Sequence, residues 1–417
     1  MTSEGASEHP TAHRPSGVLV TWRQTPSQTR ALLAGVFVSK LAGFVQVFLV
    51  LFLTHRGYSP GQAGLALGFY GAGAVLGTFG GGWLSDRLSP RTITSISMAG
   101  SAVLIVSVLY LRVYALILLA VVLVSTVAQL YRPAAQAMIT ELTPARHLVM
   151  VTAMYRLCLN LGTTAAPLIG VALVSVSYNL LFWVEALAAV TYGLIALKFL
   201  PRRARPAEAA STEAGTDRAG YLAVLADWRY SAYLAAVFFL AIVYCQYTAA
   251  LPLAIEHGGL SLWWYSAVVS ANAIIVATCE VAATKYVQTW PLRVIALGSP
   301  GLLGLGYCMY AIALTPVFLI AGTLIWTLSE IIGGPTVWSY PGVVAPPRLR
   351  GRYFGAMQSS FGLGNAVGPI MGVALWDHVG QQVWLWAAAA AGLSAVFARV
   401  GMHRPGPHGP HGPLRAE

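Results

Sequence analysis

The second half of the chain repeats the first half at a constant offset of 202 residues, with no gap needed from about Ala34 to Leu173. Most matched positions are prolines, glycines and arginines that shape helices or their ends. The matched pairs are His55 and His257, Arg91 and Arg293, Pro133 and Pro335, Pro144 and Pro346, Arg146 and Arg348, Gly162 and Gly364, Pro167 and Pro369, and Gly170 and Gly372. Because long apolar runs fill both halves, the repeat predicts a duplicated membrane unit.

The composition supports a membrane protein. The chain is 57% hydrophobic and 9% charged, whereas soluble domains carry about 25% charged residues. Its net charge of +11 does not indicate nucleic acid, because 20 of the 25 Lys and Arg residues fall in segments assigned to one side of the membrane. Only Arg56 and Arg112 fall on the other side. The positive-inside rule therefore predicts that the basic side is cytoplasmic.

Twelve segments are long and apolar enough to cross the hydrocarbon core, which takes about 20 helical residues. They run roughly 31–53, 62–84, 92–111, 115–139, 148–174, 180–200, 230–254, 262–285, 294–313, 317–341, 353–375 and 382–401. The expected fold is an all-α membrane protein with twelve transmembrane helices in two pseudo-symmetric six-helix bundles. The even number of spans puts both termini in the cytoplasm.

Five regions follow from this pattern. Residues 1–30 form a polar cytoplasmic tail, and residues 31–200 form the first six-helix bundle. A cytoplasmic linker spans 201–229 and ends in GYLAVLADW, which favours a short surface helix. Residues 230–401 form the second bundle. The tail 402–417 is expected to be disordered, and its histidines favour a solvated segment over a metal site.

Internal membrane repeats are typical of secondary transporters, whose substrate site lies where the repeats meet. The sequence holds no GxSxG, HExxH or ATP-binding Walker loop, and its Cys and His residues lack metal-ligand spacing. We therefore expect no enzyme activity, no cofactor and no bound metal. The alternative from another class is a receptor or scaffold built on the same fold.

The segment GGWLSDRLSPR, residues 81–91, follows the second predicted span and resembles the major facilitator signature Gly-x-Leu-Ala-Asp-Arg-x-Gly-Arg-Arg. The matching residues are Gly82, Leu84, Asp86, Arg87 and Arg91. The resemblance implies that Asp86 docks near the start of span eleven and stabilises the outward-open state as a conformational latch. The equivalent loop of the second half has Gln288 in place of the aspartate, so the latch is expected on one side only.

Spans five and eleven contain GTTAAPLIGV and GNAVGPIMGV. Small residues allow close helix packing and proline bends a helix, so we expect packing and hinge roles for Gly162, Pro167, Gly170, Gly364, Gly368, Pro369 and Gly372. Three of these residues, Gly162, Pro167 and Gly170, match a family motif associated with proton-driven antiport, while Ala166 and Val171 replace its other glycines.

Four further segments, YRPAAQAMITELTP, YRLCLNLG, FVSKLAG and LFWVEAL, resemble the bacterial drug:proton antiporter branch of this superfamily. That resemblance implies a monomer in the bacterial cytoplasmic membrane that exports small hydrophobic or amphipathic compounds in exchange for protons. The alternative within transport is uptake of a sugar, an amino acid or an organic acid, and the buried cations favour an anionic substrate.

Six charged residues fall within the predicted spans: Lys40, Arg132, Arg156, Glu185, Glu280 and Glu330. A charge in the membrane usually faces a cavity or a partner. None of the six recurs at the 202-residue offset. In the fold that the resemblance implies, spans one, four, seven and ten line the cavity, which makes Lys40, Arg132 and Glu330 the best cavity residues.

We expect Glu330, with Glu280, to carry the coupling proton, while Lys40 or Arg132 sets the proton affinity of the carboxyl group. The alternative is that these residues form static ion pairs. Arg156 and Glu185 are assigned to such structural pairs. Aromatic side chains also offer faces to a flat or cationic substrate, and the selected residues are Tyr131, Tyr244, Tyr247, Trp326 and Trp338.

Overall fold

The protein is described by a computed structural model that covers residues 18–202, 220–261 and 263–403. Over these residues the chain forms helices and no β-strand. The helices of the first half are α1 (Val18–Gln24), α2 (Ser27–Leu41), α3 (Phe44–His55), α4 (Pro60–Ser85), α5 (Pro90–Val108), α6 (Tyr114–Gln129), α7 (Tyr131–Leu142), α8 (Ala145–Val174) and α9 (Tyr178–Phe199). Those that follow are α10 (Gly220–Ala226), α11 (Trp228–Tyr244), α12 (Gln246–His257), α13 (Trp263–Val287), α14 (Leu292–Ile312), α15 (Pro316–Val344), α16 (Arg350–Val379) and α17 (Val383–Gly401).

Eleven helical stretches of the described chain are long and apolar enough to cross a membrane. The last stretch, Pro347–Gly401, has 55 residues and contains both α16 and α17. A 3₁₀ turn at Gly380–Gln382 separates these two helices, and Gly380 has a φ of +53°, a conformation that favours glycine. The all-helical, membrane-spanning class is thus established, while the number of twelve spans stays a prediction.

Some of the helices start where the sequence provides a capping side chain. The Ser59 hydroxyl accepts a hydrogen bond from the Gln62 N–H at 3.2 Å, and the Gln62 side chain accepts one from the Ser59 N–H at 3.0 Å. This reciprocal pair begins α4 directly before Pro60, which suits the first turn of a helix. Asp227 caps α11 by accepting from the N–H groups of Arg229 and Tyr230.

Three of the stretches are broken near mid-length. α2 and α3 separate at Ala42 and Gly43, α6 and α7 at Leu130, and α11 and α12 at Cys245. The first break is stabilised by Glu185 of α9, whose carboxylate accepts the Val45 N–H at 2.6 Å. A helix start exposes N–H groups without partners, so this carboxylate satisfies one of them inside the protein.

The 202-residue repeat is visible in the packing of the broken helices. A Cβ atom at Gly162 of α8 would lie 2.6 Å from the Cβ of Lys40 on α2. At the equivalent position, a Cβ at Gly364 of α16 would lie 2.6 Å from the Cβ of Ala241 on α11. Glycine therefore allows the same close helix contact in each half.

The two halves pack tightly at one end of the molecule, which we call the closed end and define by the helix ends at Asp86, Pro144 and Pro346. There a Cβ at Gly82 of α4 would lie 2.7 Å from the carbonyl oxygen of Gly351 on α16. Further along the same two helices, the hydroxyl groups of Thr78 and Ser359 are 3.0 Å apart. Further along α4, a Cβ at Gly71, Gly68 or Gly64 would meet nothing within 4 Å.

Two short helices lie in segments that the sequence assigned to the tail and the linker. α1 lies within the predicted N-terminal tail, where the buried Thr21 is 3.4 Å from Nδ1 of His147. α10 is the short surface helix expected in the linker, and α11 begins directly after it. Residues 1–17 of the N-terminal tail, residues 203–219 of the linker, and residues 404–417 of the C-terminal tail lie outside the described residues, while α2 already begins at Ser27 within the predicted tail.

Candidate functional site

A buried ion triad connects the two halves of the molecule. Arg156 of α8 donates from Nε to Oε1 of Glu280 at 2.9 Å and from Nη2 to Oε2 of Glu280 at 3.0 Å. The same Nη2 lies 3.2 Å from Oε1 of Glu330 on α15. Arg156 belongs to the first half, whereas Glu280 and Glu330 belong to the second. The triad is therefore an electrostatic contact across the interface between the halves.

The two carboxylates of the triad have different surroundings. The Glu280 side chain is 2% exposed and makes a complete bidentate pair, whereas the Glu330 side chain is 14% exposed and lines a cavity. Glu330 is also near two neutral donors, the Tyr244 hydroxyl at 3.3 Å and the Asn272 amide at 3.5 Å. One guanidinium faces two carboxyl groups, so a single proton on the triad balances its charge. Glu330 is the more accessible acceptor for that proton.

Glycine brings a helix backbone directly against this arginine. A Cβ at Gly334 of α15 would lie 2.6 Å from the guanidinium carbon of Arg156. Any side chain there would displace the arginine or push α15 away from α8. The close approach lets Arg156 lie between α13 and α15 with its charge directed to both acidic residues.

The cavity beside the triad has a volume of about 270 Å³, and we call it the triad lobe. It is lined by Arg156, Leu159, Asn160, Thr163, Leu240, Tyr244, Ser299, Leu303, Trp326, Ser329, Glu330, Gly333, Gly334 and Val337, together with Lys40, Arg132, Trp338 and Phe361. Its walls thus come from both halves of the molecule, which is where the repeat predicted a substrate site.

A second cavity of about 450 Å³, which we call the basic lobe, shares Lys40, Arg132, Trp338 and Phe361 with the triad lobe. Its other lining residues are Gln46, Tyr70, Gly71, Ala74, Val75, Thr78, Gln129, Gln358, Gly362, Asn365 and Ala366. No carboxylate is among them. The two lobes therefore differ in charge, because the Glu330 carboxylate lines the triad lobe and does not line the basic lobe.

The sequence-predicted latch residue Asp86 lies at the first turn of α16. Its carboxylate accepts the Gly351 N–H at 2.8 Å and the Arg352 N–H at 3.3 Å, and it lies 3.5 Å from Nε of Arg352. The free N–H groups and the positive end of a helix stabilise a carboxylate in this position. Gly82 lies in the same contact, and Arg87 stacks on Trp83 at 4.2 Å. Arg91 lies near the start of α5.

Tyr221 of α10 completes the contact at the closed end. Its ring stacks on Phe79 of α4 with centroids 3.8 Å apart, and its hydroxyl donates to the Phe79 carbonyl oxygen. That hydroxyl also lies in the gap between Gly82 and Gly355, so a Cβ at either glycine would collide with it. The linker helix thus contacts both halves of the molecule at their junction.

Several predicted residues lie elsewhere than expected. The cation beside Glu330 is Arg156, not Lys40 or Arg132, because α8 crosses against α13 and α15 at this depth. Of the two residues assigned to structural ion pairs, Arg156 pairs with Glu280 and Glu330, whereas Glu185 accepts the Val45 N–H at the break before α3. Tyr131 is 1% exposed and packs edge-on against Tyr192, outside the cavity wall.

The remaining predicted residues lie in or next to the cavity. Tyr244, Trp326 and Trp338 line the triad lobe, as do Lys40, Arg132 and Glu330. Tyr247 does not line the triad lobe but stacks on Trp326, which does, with ring centroids 5.5 Å apart. The residues of the helix-packing set lie on α8 and α16, where Gly170 meets Phe48, and Gly368 and Gly372 meet α11 and α12, respectively.

The structure adds polar residues that sequence reasoning did not select. Gln358 is 4% exposed, lines the basic lobe, and has no hydrogen-bond partner for either atom of its amide. It occupies the position equivalent to Arg156 in the repeat. Thr163 and Asn365, also equivalent positions, line the triad lobe and the basic lobe respectively. A search for equivalent positions at which the two halves carry different polar residues could therefore have identified these residues.

Comparison with known proteins identifies the family. The sequence model of the Major Facilitator Superfamily matches residues 32–369. An uncharacterized transporter of this type, YqjV of Bacillus subtilis (strain 168), is 22% identical over 358 residues, which cover 84% of this chain and 87% of the relative. A Na⁺, Li⁺, K⁺/H⁺ antiporter of Planococcus maritimus is 24% identical over 371 residues, which cover 81% of this chain and 87% of that protein.

Solved structures share the fold at low sequence identity. The transporter FucP in its outward conformation superposes with a TM-score of 0.70 at 18% identity, covering 90% of this chain and 98% of that one. A bacterial homologue of the iron transporter ferroportin in its outward-facing state gives a TM-score of 0.71 at 13% identity, over 89% and 98% of the two chains. Together with the matched family model and the membrane-spanning helices, these comparisons show that the chain belongs to the Major Facilitator Superfamily and is a membrane transporter.

Proposed function

We propose that this protein exports a small amphipathic molecule across the bacterial cytoplasmic membrane in exchange for protons, and that Glu330 carries the proton. The observation that carries the proposal is the Arg156–Glu280–Glu330 triad. It combines a titratable carboxyl group in a cavity wall with an ion pair between the two halves. A group in this position can respond to protons and change the contact that holds the halves together.

The proposed topology has twelve spans in two bundles, residues 31–200 and 230–401, joined by the linker 201–229, with both termini in the cytoplasm. Splitting the 55-residue stretch into α16 and α17 supports the even number of spans. At about 1.5 Å per residue, one helix of that length would be far longer than the bilayer core of about 30 Å. The positive-inside rule then places the closed end in the cytoplasm.

With that orientation, we infer an outward-facing state. The Asp86 contact, the Tyr221 contact and the close packing at Gly82 then lie at the cytoplasmic end, while Gly71, Gly68 and Gly64 have open space beside them toward the outside. Protons from outside then reach Glu330 through the cavity. The chain works as a monomer in this proposal, because both halves of the cavity come from one polypeptide.

Proton binding weakens the contact between the halves by simple charge balance. With both carboxylates ionised, Glu330 attracts Arg156 across the interface. A proton on Glu330 removes that attraction and leaves the Arg156–Glu280 pair as the remaining charged contact between α8 and α13. Opening toward the cytoplasm then becomes more favourable, and the proton is released there while the substrate enters. The return movement carries the substrate out as Glu330 pairs again with Arg156.

Antiport is further supported by the related Planococcus maritimus protein, whose name describes exchange of cations for protons. The partial match of the span-five motif, with Gly162, Pro167 and Gly170, supports the same mode. Both observations support exchange of a substrate for protons. The chemistry of the exported molecule is inferred from the cavity instead.

The test is transport in proteoliposomes with an imposed pH gradient, using a panel of compounds chosen to differ in charge. The wild-type protein should accumulate a substrate against its gradient, and collapse of the pH gradient should abolish the accumulation. Glu330→Gln should lose gradient-driven accumulation and keep substrate–substrate exchange, because exchange needs no proton release. Glu256→Gln, at an exposed carboxylate of α12, is the control. Full proton dependence in Glu330→Gln would overturn the assignment.

A further inference from the structure

The basic lobe is lined by two cations, Lys40 and Arg132, that form no ion pair with a described carboxylate. Both side chains line the triad lobe and the basic lobe, and the Glu185 carboxylate accepts the Val45 N–H at 2.6 Å rather than pairing with either cation. Two like charges in a membrane interior are costly to keep in place. Such an arrangement is expected where an anion binds between them.

Unsatisfied polar groups around these cations point to a ligand. Nε of Arg132 is buried without a hydrogen-bond partner. The side-chain amide nitrogen and oxygen of Gln358 are also buried without a partner. Burying a polar group without a hydrogen-bond partner is unfavourable, because the group loses its bonds to water. Gln46, Gln129 and Asn365 add three more amides to the wall of this lobe. The lobe therefore offers several donors and two positive charges to a single group.

An apolar surface lies beside the donors. Trp338 and Phe361 pack with ring centroids 5.6 Å apart, and both line the two lobes. The Trp338 ring lies 6.0 Å from the guanidinium carbon of Arg132 and 5.8 Å from that of Arg156. An aromatic or aliphatic body placed here would leave its anionic group directed toward Lys40 and Arg132.

We propose that the transported substrate is a small organic anion, with its carboxylate, sulfonate or phosphate group held by Lys40, Arg132 and Gln358 and its apolar body against Trp338 and Phe361. This inference rests on the proposed function for the statement that the bound molecule is exported. It assigns the two lobes separate tasks: the triad lobe exchanges the proton, and the basic lobe holds the negative charge of the substrate.

The test compares three probes with the same ring and different charge: naphthalene-2-sulfonate, naphthalene-2-sulfonamide and 2-naphthylmethylammonium. Equilibrium binding of the radiolabelled probes is measured by scintillation proximity on purified protein in nanodiscs of neutral lipid. The sulfonate stays charged throughout the working pH range, so its binding does not depend on proton transfer. We expect the sulfonate to bind more tightly than the sulfonamide, and the ammonium compound to bind most weakly.

The variants Lys40→Gln, Arg132→Gln and Gln358→Leu locate the binding group. Loss of either cation should weaken sulfonate binding by about tenfold to a hundredfold, which corresponds to losing a hydrogen bond to a charged group, and should leave sulfonamide binding nearly unchanged. Arg132→Lys should recover part of the affinity. Arg399→Gln, at an exposed arginine of α17, is the control. Thermal melting of each variant shows whether it is folded.

Tighter binding of the ammonium probe, or equal sulfonate affinity in the wild type and the folded cation variants, would overturn the inference. Gln358→Leu adds an independent check, because it removes the unpartnered amide without changing any charge. The proton-carrier assignment fails separately, through Glu330→Gln in proteoliposomes. Sulfonate binding that depends on Lys40 would stand even if Glu330 were not the proton carrier.

Discussion

Arg156 and Glu280 form a bidentate ion pair between the two halves, with Nε to Oε1 at 2.9 Å and Nη2 to Oε2 at 3.0 Å. The pair lies on the interface between α8 and α13. The equivalent interface of the repeat, between α4 and α16, has the neutral contact of Thr78 and Ser359. Its charged contact is displaced to the closed end, at Asp86 and Arg352. Both interfaces thus have a charged contact, and the two contacts lie at different depths.

Removing the cation of the buried triad should destabilise the protein more than removing all three charges. Arg156→Met leaves Glu280 and Glu330 without their cation, and leaving a buried charge unpaired costs about 3–5 kcal/mol. The triple variant Arg156→Met, Glu280→Gln, Glu330→Gln should recover most of the thermal stability, as measured by melting in detergent, while proton-coupled transport is lost. Glu280→Gln alone should cost less than Arg156→Met, because Arg156 keeps Glu330 as its acidic partner. A Glu280→Gln variant that melts like the wild type would contradict the structural importance of the pair.

Asp86→Asn should open the closed end. The substitution removes the charge that accepts the N–H groups of α16 and faces Arg352, so the outward-facing population should fall by about tenfold. Distances between spin labels at Leu88 and Pro347 would report the change by pulsed electron resonance. Gln288→Ala, at the equivalent loop position of the second half, serves as the control and should leave the distances unchanged. An unchanged distance distribution in Asp86→Asn would exclude a latch.

Tyr221 should restrain the linker against both halves. Tyr221→Phe keeps the ring on Phe79 and loses the hydroxyl contact, whereas Tyr221→Ala also vacates the space between Gly82 and Gly355. The same spin-label pair should therefore report a small shift for the phenylalanine variant and a large one for the alanine variant. Leu222→Ala, at a residue 74% exposed on the same helix, is the control. Equal shifts in all three variants would mean that α10 acts only through its backbone.

The close helix contacts of the repeat should not tolerate a methyl group. Gly162→Ala and Gly364→Ala would place a Cβ 2.6 Å from a side chain of the neighbouring helix, and overpacking of this kind costs about 1–3 kcal/mol. Both variants should melt at lower temperature than the wild type. Gly298→Ala on α14 is the matched control, since its Cβ would meet nothing within 4 Å. If the three variants had equal melting temperatures, the contacts would not constrain the helices.

The sequence alone was enough to predict features that depend on the position of a residue along one helix. Apolar length predicted helices long enough to cross a membrane, the repeat predicted a site shared by two halves, and intramembrane charge selected Lys40, Arg132 and Glu330, which line the cavity. The direction of a side chain around its helix was harder to predict. Arg156 and Tyr131 show this, because the helices that they face are set by the crossing of α8 and by the break at Leu130.

Gln358 shows a second limit. An amide in a membrane helix gives a weak signal alone, and its importance comes from being buried without a partner near two cations. Glu185 shows the converse. Its charge was conspicuous in the sequence, while its task depends on a helix break at Gly43 that apolar periodicity does not reveal. Both cases depend on tertiary contacts, which the local pattern does not contain.

The unequal chemistry of the Arg156–Glu280 contact bears on how such a chain could arise. In the repeat, Gln358 stands where the first half has Arg156, and Thr78 stands where the second half has Glu280. Two identical copies of the first half would present arginine to threonine at both interfaces, and two copies of the second would present glutamine to glutamate. Neither symmetric pair could form the ion pair. The Arg156–Glu280 contact thus requires two halves that have diverged in sequence, and a single polypeptide supplies one copy of each half.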